Sequence, residues 1–156
     1  MSAVHEQALV DAPVSAVWEL VSDPERYPEW WPRVFEIQGE GYEEGSEFVL
    51  VSRQPLMGRD EAQFLIDRMD DLRELRMHCT ISGMFVHWQL TDAQGGTFLN
   101  AVFGMEPIRR RDRVMDFALG RRFFRSWLAE AVDGLKRAAT RPAPSGARPP
   151  TARSGG

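Results

Sequence analysis

Few side chains of the kinds that carry catalysis stand out in this 156-residue sequence. His5, His78 and His87 lie in segments with strand-like alternation, and their spacing matches no metal-binding motif. His87 could act as a general acid or base if its strand face is the inner one, and it is a solvated surface histidine if that face is the outer one. The single Cys79 excludes an internal disulfide and a cysteine-based zinc site. We therefore expect neither a metal ion nor another cofactor.

The sequence contains no pattern of the common catalytic or nucleotide-binding classes. It has no Ser–His–Asp arrangement, no glycine-rich phosphate loop and no dinucleotide fingerprint. Its formal net charge is −4, and because the segment from Arg141 onwards carries three arginines and no acid, residues 1–140 carry −7. Such an acidic body argues against nucleic acid as a partner.

Composition divides the chain into a folded domain, residues 1–140, and a tail, residues 141–156. The tail consists of Pro, Gly, Ala, Ser, Thr and Arg and has no large apolar side chain, so we expect it to be disordered. No apolar run approaches the length needed to span a membrane, and the first 13 residues lack a signal-peptide core. We therefore expect a cytoplasmic protein with no stable membrane insertion.

Two helix starts follow a first strand at residues 3–10. Asp11 precedes Ala12-Pro13 and Asp23 precedes Pro24, and an Asp followed by a proline is typical of a helix N-terminus. The pattern predicts two short helices between residues 13 and 31.

The middle of the chain alternates between apolar and polar residues and is broken by turns, which predicts an antiparallel meander. In one such segment Leu75, Met77 and Cys79 share a face, and in the next Met84, Val86, Trp88 and Leu90 do. Including the first strand, the sequence predicts about six to seven strands, the later ones near residues 34–38, 46–53, 60–69, 72–80, 84–91 and 97–105.

A long amphipathic helix is predicted between residues 108 and 140, with an irregular segment before Gly120. Its apolar positions recur every three or four residues and need an apolar surface to cover, which the sheet supplies. The sequence thus predicts an α+β fold in which a curved antiparallel sheet wraps around a long C-terminal helix and leaves an internal cavity.

Four motifs stand at helix starts, turns and a strand end. They are Ala12-Pro13-Val14-x-x-Val17-Trp18, Asp23-Pro24-Glu25-Arg26-Tyr27-Pro28-Glu29-Trp30, His87-Trp88 before Gly95-Gly96-Thr97, and Met105-x-Pro107. Together they resemble the START-like helix-grip superfamily, also called SRPBCC. Over residues 3–139 the chain is similar to its polyketide cyclase/dehydrase and lipid-transport group.

This resemblance implies a deep apolar pocket between sheet and C-terminal helix that binds a lipid, an isoprenoid or a polyketide-like molecule. An alternative within the group is an aromatase/cyclase or dehydratase, which would work on a polyketide held there and could meet an acyl carrier protein. A third alternative is a regulatory module with a filled cavity that binds a partner protein. The chain could be a monomer or a homodimer in each case.

In such cyclases an arginine late in a middle strand faces the pocket, and by position it falls on Arg68. Alternation places Arg68 on one face with Phe64 and Ile66, although its acidic neighbours also suit a surface ion pair at a strand end. Arg68 and His87 are therefore the candidate catalytic residues. The candidate ligand-binding residues are Trp18, Trp30, Trp31, Phe64, Ile66, Met77, Met84, Val86, Trp88, Met105, Phe117 and Phe124.

Overall fold

Seven strands and three helices make up the described part of the chain, which in this computed structural model comprises residues 2–55, 58–106 and 121–141. The helices are α1 (Val14–Ser22), α2 (Tyr27–Trp30) and α3 (Arg121–Thr140), and a 3₁₀ turn (Pro24–Arg26) leads into α2. The strands are β1 (Ser2–Val10), β2 (Val34–Gly39), β3 (Glu47–Gln54), β4 (Gly58–Asp70), β5 (Glu74–Cys79), β6 (Met84–Ala93) and β7 (Gly96–Met105).

The strands form one antiparallel sheet in the order β1-β7-β6-β5-β4-β3-β2. Consecutive strands from β2 to β7 are joined as hairpins, and β1 pairs with β7 from Ser2↔Met105 to Val10↔Thr97. β1 and β2 are therefore neighbours in sequence but opposite edges of the sheet, and the segment that carries α1 and α2 connects them. The predicted α+β fold, with a curved antiparallel sheet and a long C-terminal helix, is confirmed.

Alternation along the strands produces one buried and one polar face, as predicted for β5 and β6. Leu75 and Met77 are fully buried in β5, and Val86 and Trp88 are fully buried in β6. The predicted hairpin between β6 and β7 is also present. Its two turn residues, Gln94 and Gly95, have φ values of 55° and 92°, which is the backbone that a tight two-residue hairpin requires.

The two helix starts differ in how they are capped. The side chain of Asp23 accepts a hydrogen bond of 3.1 Å from the backbone N–H of Glu25 at the start of the 3₁₀ turn, as predicted. Asp11 does not cap α1, because Pro13 itself is the N-cap residue, with extended backbone (φ −64°, ψ 155°) and no side-chain cap. Asp11 lies two residues before this cap, which is too far along the chain to reach the first free N–H groups of the helix.

Helix α3 packs against β1, β7, α1 and α2, so it covers the side of the buried sheet face that these two strands form. Its buried side is formed by Phe124, Trp127, Leu128, Ala131, Val132, Gly134 and Leu135. No described helix, α3 included, has the length and hydropathy that crossing a membrane requires. The predicted irregular segment before Gly120, and the tail from residue 142 onwards, lie outside the described residues.

Gly134 marks the closest approach of α3 to the chain that follows α2. A Cβ atom at this position would overlap the carbonyl oxygen of Trp30 and press against Pro32. The absence of a side chain thus allows the helix backbone to lie directly on this segment.

We expect Gly134→Ala to lower the free energy of unfolding by about 1–3 kcal/mol, the usual cost of overpacking. This sign is opposite to the usual effect in a helix interior, where alanine stabilises by about 1 kcal/mol. Urea unfolding of the variant against wild type measures the difference, and Asp133→Ala at the exposed neighbouring position is the matched control. A stabilised Gly134→Ala variant would show that the helix is not in contact with this segment.

Candidate functional site

The buried face of the sheet brings together most of the predicted ligand-binding residues. Met105 is partly buried against this core, and Phe117 lies outside the described residues. The others all belong to one buried cluster: Trp18, Trp30, Trp31, Phe64, Ile66, Met77, Met84, Val86, Trp88 and Phe124. Their place in the core is a finding, whereas their contact with a ligand stays a prediction.

Trp31 is the centre of an aromatic cluster that joins the sheet to α2 and α3. Its ring centroid lies 5.8 Å from that of Trp88 on β6, 5.4 Å from Phe103 on β7 and 5.6 Å from Trp127 on α3. The Trp30 ring stacks on it at 5.5 Å. Phe103 and Trp127 were not among the predicted ligand-binding residues, although strand alternation places Phe103, and helical spacing places Trp127, on the buried side.

Most polar atoms of this cluster are bonded to backbone carbonyls. Tyr27 Oη donates to the carbonyl of Val21 (2.7 Å), Trp30 Nε1 to that of Leu20 (3.1 Å) and Trp127 Nε1 to that of Pro32 (3.0 Å). Burial raises the pKa of the Tyr27 hydroxyl above its ordinary value, so this group remains a neutral donor.

Two donors of the cluster differ from the rest. The indole N–H groups of Trp31 and Trp88 have no hydrogen-bond partner among the described residues, although both side chains are fully buried. A buried donor without a partner costs about 1–3 kcal/mol, so such groups are rare.

The other buried polar side chains of the described residues are Ser52, Gln54 and Thr97, and none of them is charged. Gln54 Nε2 donates to Ser52 Oγ at 2.8 Å, and Thr97 Oγ1 donates to the carbonyl of Ala12 at 2.8 Å. These groups are bonded within the protein and are not arranged to transfer a proton to or from a ligand.

Arg33 fastens α3 to the edge of the buried face. Its Nη2 donates to Glu130 Oε1 at 2.9 Å and its Nη1 to Gln54 Oε1 at 3.5 Å. The backbone of Arg33 has φ 75°, which turns the chain sharply out of the aromatic segment. Sequence patterns gave no signal for this ion pair, because its partners lie far apart in the chain and neither belongs to a motif.

Arg68 lies on the outer face of the sheet and not beside Phe64 and Ile66. A β-bulge between Ile66 and Arg68 inserts one extra residue, so that Ile66 pairs with Met77 but Arg68 pairs with Arg76. Because strand side chains alternate with a period of two, this one residue moves Arg68 to the opposite face. The prediction that Arg68 shares a face with Phe64 and Ile66 is therefore wrong. The guanidinium is mostly exposed and forms an ion pair with Glu74 (Nε to Oε1, 2.6 Å), the kind of surface pair that was the other expectation for this residue.

His87 is on the same outer face, because the alternating residues Val86 and Trp88 on either side of it point to the buried face. Its Nε2 lies 2.8 Å from Glu74 Oε2, so Glu74 holds both candidate catalytic residues. The hydrogen bond with His87, with a further contribution from the charge of Arg68, lowers the pKa of the Glu74 carboxyl below its ordinary value. The structure thus brings Arg68 and His87 together, but away from the buried face.

Two further polar features lie outside the buried face. On the outer face, His78 Nδ1 lies 2.8 Å from Asp67 Oδ1. At the end of the sheet beside the start of α1, an open groove of about 1040 Å³ is lined mostly by polar and charged residues, among them Arg68, Glu74 and Asp92. Within the described ranges, no three side chains of His, Cys, Asp or Glu lie close enough to hold a metal ion.

Comparisons with solved structures agree with this fold. A START superfamily protein from Mycobacterium smegmatis matches with a TM-score of 0.70 and 14% identity over 86% of this chain and 94% of that one. Protein TTHA0849 from Thermus thermophilus matches with a TM-score of 0.72 and 14% identity over 88% and 97%. The AHSA1-like protein from Aeromonas hydrophila matches with a TM-score of 0.61 and 16% identity over 88% and 91%. These likenesses are of fold alone.

Sequence comparison gives the more specific result. No curated protein matches the chain. The family described as "Polyketide cyclase / dehydrase and lipid transport" matches residues 1–140, which include every strand and helix described above. The chain therefore belongs to the polyketide cyclase/dehydrase and lipid-transport family, and its fold is like that of the START superfamily protein.

Proposed function

We propose that this protein binds a hydrophobic small molecule, a lipid, an isoprenoid or a polyketide-like compound, between the buried face of the sheet and α3. Family membership supports this function. The observation that carries it is the chemistry of the buried face, which is aromatic and aliphatic and has no charged side chain among the described residues. A site of this composition gains affinity by removing apolar ligand surface from water.

The position of Arg68 and His87 does not favour the aromatase/cyclase alternative. A cyclase needs an acid, a base or an oxyanion donor within reach of the bound ketone. Both candidates lie on the outer face and are engaged by Glu74. Binding without acid–base chemistry is therefore the function that the described residues support best.

We expect the neutral dye Nile red to bind wild-type protein with a rise in fluorescence, and Phe64→Leu to weaken this binding about fivefold. Phe64 is fully buried on the inner face, and loss of part of its apolar contact corresponds to about 1 kcal/mol. Fluorescence titration measures both dissociation constants, after circular dichroism has shown that the variant is folded.

Phe35→Leu is the matched control, because Phe35 is 43% exposed and lies beside the guanidinium groups of Arg53 and Arg59. This variant should bind the dye as wild type does. Native mass spectrometry of protein purified from its own host, with extraction of any bound molecule, then identifies the natural ligand class. A protein that carries nothing and leaves Nile red dark would contradict the proposal and favour the partner-binding alternative.

The interactions around Glu74 predict an acid-dependent contribution to stability. The folded pKa of Glu74 is lowered, so its contribution is present above the unfolded pKa of about 4.3 and is lost as the pH falls through the folded pKa. At pH 7 we expect Glu74→Gln to be less stable than wild type by about 1 kcal/mol at most, because the pair with Arg68 is solvated. Urea unfolding at a series of pH values measures the difference, which should shrink towards zero in acid.

His87→Leu tests the cause of this effect. It removes the hydrogen bond that contributes most to the lowered pKa of Glu74, so it should flatten the same part of the pH profile. His87→Gln retains a donor and should preserve more of it. A difference between wild type and Glu74→Gln that is independent of pH would show that Glu74 has no special interaction in the folded state.

A further inference from the structure

The two unpartnered indole N–H groups define a polar position inside an otherwise apolar site. Trp31 follows α2 and Trp88 is in the middle of β6, and their rings are in contact at right angles, with centroids 5.8 Å apart. Trp31 is 1% exposed and Trp88 is 0% exposed, so bulk water does not reach either side chain. Each N–H has lost its water partner without gaining one from the described residues.

The neighbours of these groups show that the fold is able to satisfy such donors. Trp30 and Trp127 lie in the same cluster, and each donates to a backbone carbonyl at 3.0–3.1 Å. Among the indole groups of this cluster, the missing bonds are those of the two rings that meet where the segment after α2 lies on the sheet. The third buried polar atom without a partner among the described residues, Asn100 Oδ1, is an acceptor and not a donor. A ligand oxygen that accepts these bonds would give the two buried donors the partners they lack.

The charge of the surroundings restricts what this oxygen can be. No charged side chain is buried with the two rings among the described residues. Arg33, at the edge of the site, is already paired with Glu130. A carboxylate or phosphate would lose its hydration here without meeting a cation, which is far more costly than the burial of a neutral oxygen. These uncharged surroundings suit a neutral acceptor, such as a ketone, an ester or an alcohol oxygen.

We propose that Trp31 and Trp88 select the ligand by donating their indole N–H groups to a neutral oxygen of an otherwise apolar molecule. This inference rests on the proposed function, because it assigns the polar contact within the same site. It predicts a preference that hydrophobic burial alone does not give: a ketone should bind better than a hydrocarbon of equal shape and better than the corresponding acid.

The test uses three probes with one ring system: acetylnaphthalene, its isostere isopropenylnaphthalene and naphthoate. In the isostere a methylene group replaces the carbonyl oxygen, so the shape is kept and the acceptor is lost. We expect wild-type protein to bind the ketone about tenfold more tightly than the isostere, consistent with one or two recovered hydrogen bonds. Naphthoate should bind more weakly than the ketone at pH 7.

Side-chain ¹⁵N–¹H spectra of the full chain give a second measurement. Its main result, the shift of the indole signals when a probe binds, is obtained on the wild-type protein and does not depend on a variant being stable. The ketone should move the indole N–H signals of Trp31 and Trp88 downfield, and the isostere should not. Trp31→Phe and Trp88→Phe assign the signals and remove one donor each, so the ketone-to-isostere preference should fall severalfold in either variant. The indole signals of Trp30 and Trp127, whose N–H groups are bonded to the protein, are the internal controls and should not move downfield with the ketone. Phe35→Leu, at an exposed position outside the site, is the control variant and should keep the preference.

Each outcome of this experiment decides between the two proposals. Equal affinity for ketone and isostere, without movement of the two indole signals, would overturn the selection by Trp31 and Trp88 and leave the apolar binding function standing. Downfield indole signals in the ligand-free protein that the ketone leaves unchanged would overturn it too, because the chain itself would then supply the acceptor. Failure of all three probes and of Nile red to bind would overturn the proposed function, and this inference with it.

Discussion

The close crossing of α3 over the segment that follows α2 is the contact on which the rest of the site depends. Three interactions hold it: the backbone of Gly134 lies against the Trp30 carbonyl, Trp127 donates to the carbonyl of Pro32, and Arg33 pairs with Glu130. They differ in kind, one steric, one a hydrogen bond and one an ion pair, but they act along one short stretch of chain. Because this stretch also carries Trp31, the crossing fixes the ring that touches β6, β7 and α3 together.

This crossing also explains why the buried face is organised by tryptophan. Each aromatic pair of this geometry contributes about 0.5–1.5 kcal/mol beyond simple burial, and a cluster with Trp31 at its centre has several such pairs. An indole ring also brings one N–H that must be satisfied. The fold satisfies those of Trp30 and Trp127 with backbone carbonyls that become available where regular helix ends. Trp88 is on β6, which pairs with a strand on each side. The backbone carbonyls near Trp88 therefore accept hydrogen bonds within the sheet and are not available to its indole N–H.

The sequence predicted the fold well, because its signals are local. Alternation in β5 and β6, helical spacing in α3 and turn residues such as Gly95 each act over a few neighbours, and their order along the chain resembles one known superfamily. The position of Arg68 could not be predicted in this way. A bulge of one residue is invisible in an alternating pattern until its partner strand is known, and it reverses the direction of every side chain beyond it. The pairing of Arg33 with Glu130 and the close contact at Gly134 were missed for a related reason, since both join segments that only the tertiary fold brings together.

The position of β1 has a consequence for how the chain reaches this structure. Each strand from β2 to β7 can pair with its neighbour in sequence as soon as both exist, whereas β1 must wait for β7. Closing so long a loop costs chain entropy before any contact repays it, which slows folding. The pairing of β1 with β7 thus spans the largest separation along the chain of any strand pair in the sheet. Until this pairing forms, β7 presents an open sheet edge, which is able to pair with a second copy of the chain.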